Sequence, residues 1–165
     1  MGNGLFKWGG FMIVQLTRAS LSDAETIWRM QVRAFTELLE RYQDFDTSPA
    51  RESLERLRAK MSQAHRHYYF IQADGADAGV ICVVADAATG RKRISPIFVM
   101  PEFRNLGIAQ AAIRAAEAIY GADNWFLDTI QQEAGNCHLY EKLGYRLTGE
   151  TRAVNQRMTL VYYEK

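Results

Sequence analysis

Three groups of residues in this chain could do chemistry, and each needs a different kind of element to hold it. The first is Val99-Met-Pro-Glu-Phe-Arg104-Asn105-Leu106-Gly107-Ile108-Ala109, followed by an alanine-rich stretch. It reads as the end of a strand, a turn and a helix start. Backbone N–H groups at a helix start, with the positive end of its dipole, suit a pyrophosphate. Gly107 lets the backbone approach a ligand closely, and Arg104 adds a cation. An ordinary strand-to-helix turn would have the same letters. The turn is not a P-loop, for it lacks Gly-Lys-Ser/Thr, and not a dinucleotide fingerprint, for it lacks Gly-x-Gly-x-x-Gly.

The second group is Asn136-Cys-His-Leu-Tyr140-Glu-Lys142-Leu-Gly144-Tyr145. Asn136 and Tyr140 lie one helical turn apart and share a face. A tyrosine hydroxyl, with an ordinary pKa of ~10, can give its proton to a leaving thiolate. The alternatives are a helix cap at Asn136 and a core aromatic at Tyr140. The third group is Ile94-Ser95-Pro96-Ile97-Phe98-Val99, an apolar run with a proline inside it. Proline marks an edge or a bulge. The broken pairing would free amides and carbonyls for a peptide-like ligand, or Pro96 simply ends the ladder.

The elements that must position these groups follow from periodicity. Strands are expected at residues 12–17, 68–72, 80–84, 94–100, 125–130, 145–149 and 157–163. A first helix, capped at Ser22 or Asp23, carries Ile27, Met30, Ala34, Leu38 and Tyr42 on one stripe. Pro49 suits the first turn of a second helix with Leu54, Leu57 and Met61 as its apolar face. Helices are also expected over 106–120, stopped by Gly121, and over 136–143, stopped by Gly144. The order β-α-α-β-β-β-α-β-α-β-β predicts a layered α/β (α+β) domain on a mixed, mostly antiparallel sheet.

Composition narrows the partners. The chain has 165 residues, 48% hydrophobic, with a formal net charge of +1. That fits one domain with a sizeable core over 12–165. Residues 1–11 read as an N-terminal extension. No global field or basic aromatic patch favours nucleic acid, and no apolar run reaches the ~20 residues of a membrane span. Cys82 and Cys137 make no disulfide framework, so a reducing cytoplasm is expected. His65 and His67 alone make no metal site.

The chain resembles the GCN5-related N-acetyltransferases (GNAT). Arg104-Asn-Leu-Gly107-Ile-Ala109 matches that family's Arg/Gln-x-x-Gly-x-Gly/Ala signature. Leu139-Tyr140-Glu141-Lys142-Leu143-Gly144-Tyr145 matches its second motif, and the strand order agrees. The resemblance covers roughly residues 12–165. It implies a splayed sheet whose fourth strand pairs with the pantetheine arm of acetyl-coenzyme A through Ile97, Phe98 and Val99. It implies a pyrophosphate held by Arg104, Asn105, Leu106, Gly107, Ile108 and Ala109. Further coenzyme contacts would come from Asn136, Tyr140 and Lys142, with Tyr140 the general acid. Two positions depart from the family: Glu133 stands where many relatives have asparagine, and Asn136 where they often have alanine.

The implied reaction is transfer of acetyl from acetyl-CoA to a primary amine of a small molecule or peptide by direct attack, without metal. A backbone N–H near Phe98 or Val99 would stabilise the oxyanion. Asp128, Glu133 or a water chain could serve as base; Cys137 lacks a usable histidine for covalent chemistry. The acceptor is expected between the first two helices and the last hairpin. Glu37, Glu40, Asp44, Asp46 and Glu52 there suit a cationic amine, or form a solvated helix face. A homodimer is compatible with the family. The competing readings are a non-catalytic acyl-CoA-binding module of the same fold and an unrelated nucleotide-binding domain.

Overall fold

The computed structural model describes residues 12–165. The extension read over 1–11 lies outside the described residues. Alternating strands and striped helices assemble into a seven-stranded sheet. The strands are β1 (Val14–Arg18), β2 (Arg66–Ala73), β3 (Ala76–Ala85), β4 (Lys92–Val99), β5 (Trp125–Ile130), β6 (Arg146–Ala153) and β7 (Thr159–Glu164), in the order β1-β2-β3-β4-β5-β7-β6. Every pair is antiparallel except β4 with β5. The helices are α1 (Ala24–Tyr42), α2 (Leu54–Met61), α3 (Ile108–Tyr120) and α4 (Ala134–Lys142). The expected order of elements holds, with three short 3-10 turns added.

Strand alternation divides the main core into two layers, beside a small third cluster of Tyr42, Met158 and Leu160. Tyr68, Phe70, Val80, Cys82, Phe98 and Met100 pack with Ile27 and Ala34 of α1 and Leu57 of α2. Tyr69, Ile71, Ile81 and Val83 pack with Ile108, Ala112, Ile113 and Ala116 of α3. The small side chains of α3 let it lie close to the sheet.

Several boundaries differ from expectation, β6 running on to Ala153 among them, and three that bear on the site have a local reason. Pro49 opens a 3-10 turn (Pro49–Arg51), and α2 starts only at Leu54, where Ser53 Oγ accepts from Arg56 N. α4 starts at Ala134 with Glu133 in the cap position, so Asn136 is inside the first turn and is not a cap. α3 starts at Ile108, with Gly107 as its N-cap residue.

The feature that makes a site is the seam between β4 and β5. Their parallel pairing is limited to Lys92↔Trp125 and Arg93↔Phe126. Beyond Arg93 the two strands part. On its other edge β4 stays paired with β3, through Val83↔Ile94, Ile81↔Ile97, Val80↔Phe98 and Gly79↔Val99. Gly79 is required there: a Cβ at this position would stand 2.1 Å from Phe98 O. The Ser95–Pro96 peptide is cis, and the β3–β4 register shifts between Ile81 and Val83 beside it.

Candidate active site

Backbone direction decides which groups of β4 reach the cleft. Met100 N donates to Ala78 O at 2.8 Å, and Phe98 O lies against Gly79. Successive residues of a strand point their amide and carbonyl to opposite edges. The main chain of Phe98 therefore belongs to β3, while those of Ile97 and Val99 face the gap left by β5. Val99 O is already taken by Arg104 Nε at 3.1 Å. The polar groups open toward the cleft are the amides of Ile97 and Val99 and the carbonyl of Ile97. Phe98 presents its side chain, edge-on to Phe35 at 5.6 Å between centroids, while its main chain faces β3.

The turn that follows is built by two left-handed residues, Asn105 (φ 61°) and Gly107 (φ 76°). Nothing lies within 4 Å of where a Gly107 Cβ would be, so the space above it is open. The α3 ladder begins with Ala111 N donating to Gly107 O at 3.1 Å. The amides of Ile108, Ala109 and Gln110 precede that bond and point out of the helix start. Arg104 is otherwise employed. Its Nη2 donates to Ala34 O at 3.0 Å and its Nη1 stands 3.5 Å from Glu37. It ties α1 to the turn, and its charge is shared with a carboxylate.

Tyr140 sits on α4 on the far side of the cleft, only 7% exposed, and packs against Tyr145 and Tyr163. Burial, then the charge of Asp128, then Cys137 push its pKa up. The hydroxyl therefore stays protonated. Glu133, just before α4, accepts from Arg41 Nη1 and from Tyr42 OH, both at 2.6 Å. These bonds lock the end of α1 to the start of α4 across the cleft.

The cleft holds two cavities. The larger, about 510 Å³, takes in Ile97, Phe98, Val99, Arg104, Asn105, Gly107, Ile108, Ala109, Asn136 and Tyr140. Nearly all the expected coenzyme residues thus come together. Leu106, 51% exposed, and Lys142, on the last turn of α4, are not among its walls. The second cavity, about 330 Å³, lies between α1, the 49–51 turn, β4, β5 and the β6–β7 hairpin. Phe35, Leu38, Ile97, Asn136 and Tyr140 border both cavities. Tyr140 is the polar side chain with a buried body at their junction.

Sequence reasoning passed over Gln110, whose amide extends the turn by one residue, and Arg41, which holds Glu133. It also passed over Arg93 and Arg152, which border the second cavity. Gln110 could have been found by counting a full helical turn of free amides. No local pattern marks the arginines.

The model of the acetyltransferase (GNAT) family matches residues 26–145. No curated protein matches the sequence itself. Among solved structures, RimL, a ribosomal L7/L12 alpha-N-protein acetyltransferase in complex with coenzyme A, superposes with a TM-score of 0.71 at 14% identity, covering 91% of this chain and 92% of that one. The microcin C7 self-immunity acetyltransferase MccE, in complex with acetyl-CoA and AMP, gives 0.70 at 17% identity, covering 92% and 91%. Mutant forms of the spermidine/spermine N-acetyltransferase SpeG from Vibrio cholerae give 0.68 at 14%, covering 92% and 93%. At these identities the likeness shows the fold.

Proposed function

This chain belongs to the acetyltransferase (GNAT) family, and from that premise we propose that it moves an acetyl group from acetyl-CoA to a primary amine of a small molecule or peptide. The reading rests chiefly on one juxtaposition. An unpaired edge of β4, a helix start with open amides and a buried, protonated tyrosine meet around one cavity that leads into a second.

Residues of this chain divide the work as follows. The open amides of Ile108, Ala109 and Gln110 would hold the pyrophosphate of the coenzyme. The open edge at Ile97 and Val99 would pair with its amide-bearing arm, as a neighbouring strand would. Bound there, acetyl-CoA supplies an activated thioester. The Ile97 or Val99 N–H would steady the negative charge that develops on the carbonyl oxygen. As the new C–N bond forms and the C–S bond breaks, the Tyr140 hydroxyl gives its proton to the departing sulfur. Asp128 and Glu133 each already hold an arginine, at 2.5 and 2.6 Å. The attacking amine therefore enters neutral and gives up its proton after attack, to water or to one of these carboxylates.

The test is release of free thiol from acetyl-CoA against a panel of amines, with Tyr140→Phe alongside. Amine-dependent release is expected, with kcat falling on the order of 10²–10⁴ in the variant and coenzyme affinity retained. Unchanged kcat in Tyr140→Phe would remove the tyrosine from its role. Tight coenzyme binding without release for any amine would favour a binding module.

A further inference from the structure

The acid-rich first region suggested a cationic acceptor, but its charges are largely committed. Glu37 pairs with Arg41 at 2.9 Å and approaches Arg104. Glu52 pairs with Lys60. Asp44 is buried and accepts from Thr47 N at 3.0 Å and from Thr47 Oγ1 at 2.6 Å. In the second cavity Asp44, which pairs with no cation among the described residues, and Asp128 are balanced by Arg93 and Arg152, so no net negative charge draws in a polycation.

What remains there is donor capacity. Asp44 and Asp128 are the acids that border the cavity, and Arg93 and Arg152 the bases. Asp128 is held by Arg93 Nη2 at 2.5 Å. Arg93 Nε is buried and has no hydrogen-bond partner. That atom is closed off, but the side chain is 39% exposed and its Nη1 forms no hydrogen bond among the described residues, so this nitrogen is open to an acceptor. Arg152 stands exposed on β6 and forms no ion pair among the described residues. Asp46 shares an adjoining cavity with Arg152 without pairing to it. The remaining walls include Phe35, Leu38, Ile130, Met158 and Leu160.

We infer that the acceptor is an amino acid with an apolar side chain, whose carboxylate is received by Arg152 and Arg93 while its α-amine faces Tyr140. Guanidinium groups bind carboxylates through parallel N–H donors, which fixes orientation as well as charge. The apolar walls take the side chain. The volume of about 330 Å³ suits a small molecule, at the lower end of known ligand pockets. This inference names the substrate class of the acetyl transfer proposed above and rests on that reading.

The test compares L-leucine, L-methionine and L-phenylalanine with their carboxamides and with spermidine, all with acetyl-CoA. The acids are expected to exceed the matching amides in kcat/KM by at least about tenfold, because an amide leaves the guanidinium donors poorly answered. Arg152→Gln should shrink that acid-over-amide ratio through KM, and Arg152→Lys should restore part of it. Calorimetry of the acids and amides on the CoA-loaded protein reads the same preference without turnover. Acids that bind over amides but are never acetylated would support the pocket and overturn the transfer reading. Spermidine or amides acetylated as well as the acids, or better, would overturn the pocket and leave the transfer standing. Acids that neither bind nor react overturn it as well.

Discussion

At the scale of single residues, the environment of Tyr140 suits proton donation. A tyrosine is an acid only while protonated, and burial, Asp128 and Cys137 all raise its pKa. The sign follows: the group loses its proton only above its raised value, so acid catalysis survives alkaline conditions. The acceptor amine behaves oppositely and becomes reactive as it deprotonates. The rate should therefore climb with pH and stay level, with no falling limb up to about pH 10. A pH series of kcat/KM checks this, and a fall centred near pH 8 or 9 would point to another acid. The letters of Tyr140, Asn136 and Gly107 were legible in the sequence because helical spacing and turn chemistry are local. The destination of Arg104 was not. Its guanidinium serves Ala34 O and Val99 O, and those carbonyls meet it only after α1 has packed on β4.

At the scale of elements, every strand and helix was found, most of them because they alternate or stripe against an apolar layer. β5 is the clearest case, with buried residues at every second position. β6 is exposed along its whole length, so its pattern carries little information and its end was placed too early. Pro49 misled because proline fits the first position of a 3-10 turn as well as that of an α-helix. Pro96 marked a break in the pairing of β4, but that the strand parts from β5 was implied by the resemblance alone, since pairing partners are not written in either strand. What holds β4 in place is legible only in the fold: Gly79 lets β3 approach to where a Cβ would meet Phe98 O. Gly79→Ala must push β4 toward the cleft. It is expected to cost roughly 1–3 kcal/mol, the usual range for overpacking, and to raise KM for acetyl-CoA. Denaturant unfolding and saturation kinetics measure both, and a variant normal in each would show that β4 yields freely.

At the scale of the whole molecule, no helix among the described residues is long and apolar enough to cross a membrane. No group of three or more His, Cys, Asp or Glu among them could hold a metal ion. The main chain of the sheet is continuous in order but nearly severed in the middle. Strands β1 to β4 form one half and β5, β7 and β6 the other, joined by two register pairs at Lys92 and Arg93. Side chains bridge the seam where the main chain does not: Trp125, Leu127 and Tyr163 share one core with Ile81 and Ile113, and Glu133 holds Arg41. A coenzyme seated in the gap would act as a tie beam between the halves. At a hundredfold excess over Kd it would add about 2.7 kcal/mol to the apparent stability. Hydrogen exchange should show that gain shared by both halves, with Ile97 and Val99 slowing together with the β5–α4 junction. Protection confined to the start of α3 would mean that the coenzyme rests on one half only.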